Sequence, residues 1–205
     1  MKFNHTNIWV TSDTHYSHTN ICRGTTKWDK RAEQTRDFPT LEAMNDALVN
    51  NINAKVGEND VLIHHGDFSF GGFDNIGIFR RRINCKNVHL ILGNHDHLTK
   101  KNRDNVQSLF TSVSQVFEFE IVVPGVRQRF MSMHYPVISW EDMNLGVIHL
   151  HGHIHLPKHL RMREGKSMDV GVDGNDLMPY HINEILELMA KQPIAKSTLP
   201  MDHHD

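Results

Sequence analysis

Short apolar runs recur along the chain, and each gives way to a polar turn: "IWVTSD", "VLIHHGD", "VHLILGN" and "LGVIHLHGHIH". Runs of this length, rich in Val and Ile, predict buried strands whose C-terminal ends carry the polar groups. Between the first two, "FPTLEAMNDALVNNINAKV" sets Leu41, Met44, Leu48 and Ile52 at helical spacing, with Thr40 as N-cap after Pro39. "FDNIGIFRRRIN" follows the second strand, with Ile76, Phe79, Arg80 and Ile83 on neighbouring turns, and "LTKKNRDNVQSLF" follows the third. Strand and helix therefore alternate through the first half. That pattern predicts an α/β sheet with ligands gathered at strand C-termini.

The second half has another texture. "QVFEFEIVV", "RQRFMSMHY", "GVIHLHGHIH" and "SMDVGVD" read as consecutive strands joined by short turns such as "PGV" at 124–126. They predict a meander and hence a second, more antiparallel sheet. "PYHINEILELMAK" predicts a final helix starting near Pro179. The expected organisation is one domain over residues 1–190 and a polar, disordered tail over 191–205, with no internal repeat or dividing linker.

Composition narrows the function classes. The 205 residues, 39% hydrophobic and 22% charged, fit a soluble globular domain with a real core. A formal net charge of -2 leaves no global positive field to draw the chain onto long nucleic acid or anionic lipid. No run approaches the ~18 apolar residues of a membrane span. "MKFNHTNIWV" lacks a signal-peptide core, so no membrane association and a cytoplasmic location are expected. Cys22 and Cys85 are too few for a disulfide framework and read as reduced thiols.

Histidine is the outlier, at 17 residues. Setting aside the pair in the terminal "MDHHD", many of the rest stand beside Asp, Asn or Gly in five strand-end clusters. These are Asp13-Thr14-His15, Gly66-Asp67, Gly93-Asn94-His95-Asp96, Ser132-Met133-His134 and Gly152-His153-Ile154-His155. Singly, each reads as an ordinary turn. Together they supply the carboxylate, amide and imidazole groups that suit Mn, Fe and Zn, and burying so many without cations would be costly. The glycines before Asp67, Asn94 and His153 are expected to take backbone angles closed to other residues and to let the chain approach an ion or phosphate. Tyr135, which follows His134, is held extended by Pro136.

The order Asp-x-His, Gly-Asp, Gly-Asn-His-Asp, a later His, then Gly-His-x-His resembles the calcineurin-like metallophosphoesterase superfamily, over residues 13–155. "SDTHYSHTNI" and "HHGDFSFGG" resemble its small bacterial and phage members. The resemblance implies an αββα sandwich of two packed mixed sheets flanked by helices. It implies that Asp13, His15, Asp67 and His155 hold one divalent ion, and that Asp67, Asn94, His134 and His153 hold a second, with Asp67 between them. The expected cofactors are two transition-metal ions from the set Mn, Fe, Zn and Ni, with Mn supporting activity in vitro. It further implies in-line attack on phosphorus by a hydroxide bridging the ions, with His95 protonating the departing oxygen. Asp96 either orients that ring or caps the following helix.

Other residues have open readings. "GDFSFGG" lacks the Asp-Arg-Gly ending of the Ser/Thr protein phosphatases, which makes a protein substrate less suitable. Phosphate then needs other cations: Arg80, Arg81 and Arg82, or Arg23, each with a plain surface role as the alternative. His18 is read as supporting a ligand or facing substrate, and His64 and His65 as packed. Trp28 and Phe73 either wall a base or aryl group or simply anchor loops. Within "HLHGHIH", Gly152 is expected to end the strand; His153 and His155 are then ligands of different ions, His151 supports them, and His149 is packed or solvated.

The expected function is hydrolysis of a small phosphomonoester or phosphodiester, nucleotides included. The competing readings are an inactive scaffold of the same fold and a nuclease acting on short nucleic acid.

Overall fold

The computed structural model describes residues 1–28, 35–163 and 165–195. Its first half runs β1 (Lys2–Phe3), β2 (Ile8–Thr11), α1 (Leu41–Lys55), β3 (Val61–His64), α2 (Phe73–Arg82), β4 (Asn87–Ile91), the single turn α3 (His97–Lys100), a 3-10 segment (Arg103–Leu109) and β5 (Ser112–Ser114). The second half runs β6 (Val116–Val123), β7 (Val126–Met133), β8 (Ile148–His151), β9 (Met162–Arg163), β10 (Ser167–Asp169), β11 (Tyr180–His181) and α4 (Ile182–Ala190). The strands form two sheets. One has the order β11-β2-β3-β4-β5, parallel except for β11. The other has the order β1-β6-β7-β8-β10-β9 and is mixed.

The apolar core lies between the sheets. Phe119, Ile121, Phe130, Ile148, Leu150 and Met168 of the mixed sheet meet Ile8, Val10, Val61, Ile63 and Ile91. On the other face of the parallel sheet, Leu62, Val88 and Leu90 pack against Val49 and Ile52 of α1 and Ile76 and Phe79 of α2. Thr40 caps α1, its hydroxyl accepting from the Ala43 N–H at 3.1 Å, as the sequence predicts. Each fully buried side chain of α1, such as Leu48 or Ile52, stabilises the packing by about 1.5–3 kcal/mol. α4 closes the core with Ile182, Ile185 and Met189.

Three expectations fail here. The second half is not a meander: β6 and β7 form a hairpin across 124–125, but β7 runs parallel to β8 and β8 parallel to β10. Residues 134–147 give the chain the length to return and start β8 in the same direction. "LTKKNRDNVQSLF" is not one helix, because Asn102, Asp104 and Asn105 take left-handed angles (φ 48°, 55° and 57°) that break it. Tyr180 and His181 pair with β2 rather than opening the last helix, which His181 caps together with Glu184. Of the expected tail, residues 196–205 lie outside the described residues.

Because β2, β3 and β4 are parallel, their polar C-termini emerge at one edge of the sheet. β7 and β8 deliver theirs to the same place, shown by the His134 ring against the His65 carbonyl at 2.7 Å and the His153 N–H on Asp13 at 2.9 Å.

Candidate metal centre

Asp13 and His15 follow β2, Asp67 follows β3, Asn94 and His95 follow β4, His134 follows β7, and His153 and His155 follow β8. The glycines were expected to carry the unusual backbone angles, yet only Gly66 of the three does (φ 97°). Gly93 and Gly152 serve by smallness instead: a Cβ on Gly152 would overlap the side chains of Ser12 and Asp13. The ligand candidates themselves are left-handed, with φ of 55° at Asp13, 46° at His15, 54° at Asp67, 75° at His153 and 51° at His155. Asp and His tolerate this region better than most residues, and the sharp turn it makes aims each side chain back over the strand ends.

The side chains converge. His15 Nε2 lies 3.1 Å from His155 Nε2 and 3.6 Å from Asp67 Oδ2, and His155 Nε2 lies 3.6 Å from Asp13 Oδ1. Around the other side of Asp67, His134 Nε2 is 3.5 Å from Oδ2, and Asn94 Oδ1 is 2.9 Å from both His134 Nε2 and His153 Nδ1. Asp67 thus stands between a group of Asp13, His15 and His155 and a group of Asn94, His134 and His153. His95 Nε2, 4.0 Å from Asp67 Oδ2, borders both, and its side chain is 38% exposed at the mouth of the cluster.

The donor set fits divalent cations, for a reason visible in the hydrogen bonds. His134 Nδ1 must donate to the His65 carbonyl, and His155 Nδ1 donates to Asp173 Oδ2 at 2.6 Å. Burial lowers the pKa of His134 and favours its neutral ring, so its Nε2 is a lone pair, and that lone pair faces the acceptor Asn94 Oδ1. Asp13 Oδ1 is buried with no donor among the described residues. Lone pair facing lone pair, beside an orphaned carboxylate oxygen, is what cations would reconcile. Without them, burial pushes the Asp13 carboxyl up to about 7 and drives His15 well below its ordinary value.

The supporting residues differ from the expected ones. Asp96 neither touches the His95 ring nor caps α3. Its carboxylate accepts from the N–H groups of Asp67 (2.7 Å), Gly93 (2.8 Å) and Phe68 (3.1 Å), tying the second strand-end loop to the third. Burial raises the Asp96 carboxyl above its usual range, and those N–H donors oppose the rise. Arg36 is buried and donates to the carbonyls of Asp13 and Thr14, both at 2.7 Å, while its Nε reaches Asp173 at 2.8 Å. Asp173 bonds the Nδ1 of His155 in turn, so one chain of contacts links the β2 and β8 ligand loops. Although buried, Asp173 is held well below the carboxylate range by the Arg36 charge and the His155 hydrogen bond.

The remaining histidines sort cleanly. Thr14 donates its only proton to the Phe68 carbonyl, so His64 Nε2 donates to Thr14 Oγ1 at 2.9 Å and its Nδ1 accepts from the Gly66 N–H. His65 lies beside the Thr11 carbonyl, and burial pushes it down to about 3. His149 is buried rather than solvated, donating to the Met131 carbonyl and accepting from the Val137 N–H. His151 reaches the Gly152 carbonyl but none of the candidate ligand side chains. His18 stacks on Phe70 at 3.8 Å with 8° between the planes, and burial pushes it down to about 4, so it presents a neutral ring.

The arginine candidates are not at the cluster. Arg80 donates to the carbonyls of Ile83, Lys86 and Leu109, below the N-terminal end of β4, so its role is structural. Arg82 binds Asp46 and the Tyr16 hydroxyl, and Arg23 binds Asp37 and Thr35. Phe73 lies under Arg103, whereas Phe70, three residues earlier, is the ring 4.7 Å from His95. Sequence reasoning missed Phe70, Arg36 and Asp173. Asp173 had a signal, since "MDVGVD" repeats the pattern of an apolar run ending in an acid; Arg36 had none nearby.

A model described as calcineurin-like phosphoesterase matches residues 6–184. An uncharacterized protein of Methanocaldococcus jannaschii is 25% identical over 195 residues, covering 93% of this chain and 95% of its own. A solved structure of a protein of unknown function from Aquifex aeolicus superposes with a TM-score of 0.58 at 22% identity, over 88% of this chain and 98% of that one. A structure titled as a novel archaeal phosphodiesterase follows at a TM-score of 0.44 and 19% identity, over 80% of this chain and 81% of that one.

Proposed function

Since the chain belongs to the calcineurin-like phosphoesterase family, we propose that it is a dinuclear metal-dependent hydrolase of a small phosphomonoester or phosphodiester. The observation that carries this reading is the convergence of seven side chains from five strand ends, Asp13 and Asp67 among them, with His95 at the mouth. Asp13, His15, Asp67 and His155 would hold one ion, and Asp67, Asn94, His134 and His153 the other. When bound, such a pair supplies a shared water acidified towards neutrality and offsets charge on a phosphate during in-line attack. The nitrogen-rich set favours a transition metal, Mn among them, over magnesium.

The chain's own residues do the rest. His134 and His155 keep their Nε2 atoms aimed inward because their Nδ1 protons are engaged by the His65 carbonyl and by Asp173. The His95 backbone N–H holds Asp67 Oδ1 at 2.8 Å, which fixes the loop that carries the ring. That ring delivers a proton to the departing oxygen, a task suited to a group whose ordinary pKa is about 6.5.

Turnover of aryl monoesters, aryl diesters, nucleotides and cyclic nucleotides with Mn present tests the reading and separates monoesterase from diesterase. In His95→Ala, metal content should stay intact while turnover of substrates with poor leaving groups falls by about 10²- to 10⁴-fold. Nitrophenolate esters, which leave without a proton, should lose less. Full activity after exhaustive demetallation would defeat the proposal.

A further inference from the structure

The rings beside His95 have no part in holding an ion. Phe70 lies 4.7 Å from His95 and stacks with His18, and Trp28 stands edge-on to His18 at 5.8 Å, 39% exposed. Between residues 69–72 and 95–98 a cavity of about 70 Å³ opens beside His95, lined also by Phe70, Ile76 and Leu98. Of the other polar side chains on its lining, Asp96 is engaged by three backbone N–H groups and His97 Nδ1 by the Asn94 carbonyl, while the buried Ser69 hydroxyl has no hydrogen-bond partner among the described residues. We propose that this cavity receives the leaving group of the substrate, and that the leaving group is a single planar aromatic ring.

This rests on the reading of His95 as proton donor. As the P–O bond breaks, its electron pair stays on the ester oxygen, which takes the His95 proton; attacking water forms the new P–O bond and its own proton passes to solvent. The group on that ester oxygen must then touch what surrounds the His95 ring. There it meets Phe70, Ile76 and Leu98, a single hydroxyl at Ser69 and no unengaged charge, which favours a mainly apolar group over a charged one or a sugar with several hydroxyls. Phe70 is stacked on His18 through one face and is only half-buried, which leaves ring surface for another ring. In a space of about 70 Å³, open on one side, a fused ring system protrudes further than a single ring.

Competitive inhibition of the Mn-loaded protein reads the inference without depending on leaving-group reactivity. Benzylphosphonate, with carbon in place of the bridging oxygen of phenyl phosphate, should bind about 2- to 12-fold tighter than pentylphosphonate, the span of one aromatic contact. 1-Naphthylmethylphosphonate should lose that gain. Phe70→Leu keeps an apolar side chain but removes the ring, and should bring benzyl and pentyl within about twofold; if it fails to fold, Phe70→Met makes the same comparison. Equal binding of benzyl and pentyl by the unaltered protein, or a preference that survives in a folded Phe70→Leu, overturns the inference while phosphoester hydrolysis stands. Hydrolysis of no phosphoester by metal-loaded protein overturns the parent reading and this one with it.

Discussion

Asp173 accepts one hydrogen bond from His155 on one side and two from Arg36 on the other, so it fixes the Nδ1 proton of a candidate ligand from outside the cluster. Asp173→Asn should weaken Mn binding by about 10- to 100-fold, measured by titration calorimetry, because the Nδ1 proton of His155 loses its charged acceptor. Unchanged affinity would mean that the ring needs no such orientation. Asp96→Ala acts otherwise. It strands the N–H groups of Asp67, Phe68 and Gly93 in a buried site at about 1–3 kcal/mol each, so urea denaturation should register a loss of at least about 3 kcal/mol. At this scale the chain was legible where residue type and a strand end coincided, as at Asp13 or His155. It misled where a partner depended on distant backbone: Asp96 serves N–H groups from another loop, and Arg80 binds carbonyls that no local pattern announces.

Helix α1 was readable down to its cap, because four apolar positions at helical spacing and Thr40 after Pro39 all point the same way. Thr40→Ala should cost about 1 kcal/mol in urea denaturation, with Mn affinity unaltered. A larger loss, or a loss of metal, would implicate the cap in holding the site. Four strands of the mixed sheet, β6, β7, β8 and β10, were found and the short β1 and β9 were not, and the order of neighbours was missed. Period-two alternation in β6 and β7 says which residues face the core; it is silent on whether the next strand runs with them or against them. Direction was decided by residues 134–147, a loop whose path depends on contacts such as Trp140 over His149 (5.2 Å) and the Trp140 N–H on the Val147 carbonyl.

For the molecule as a whole, an unusual number of neutral histidines lie in the interior. Burial depresses His64, His65, His149 and His151 below the ordinary 6.5, His65 and His151 to about 3. The folded chain therefore binds fewer protons than the unfolded one once pH drops below 6.5. Their stabilisation is complete above 6.5 and is lost as pH falls towards 3. Asp13 has the opposite sign: raised from 3.8 to about 7, it lowers the stability of metal-free protein as pH climbs through that interval. Urea midpoints in chelator should fall between pH 6.5 and 4, where the histidines outnumber Asp13, and Mn should raise the midpoint more at pH 7.5 than at 5. A flat profile below 6.5 would show that these rings do not change protonation on unfolding. Among the described residues no helix is long and apolar enough to cross a membrane. The placement of every candidate ligand at strand ends, with Trp28, Phe70 and Leu98 on the segments between, has a consequence for descent. Lineages sharing this scaffold are free to exchange those segments while inheriting the candidate ligands untouched, so relatives are expected to diverge in what they bind long before they diverge in the ligand cluster.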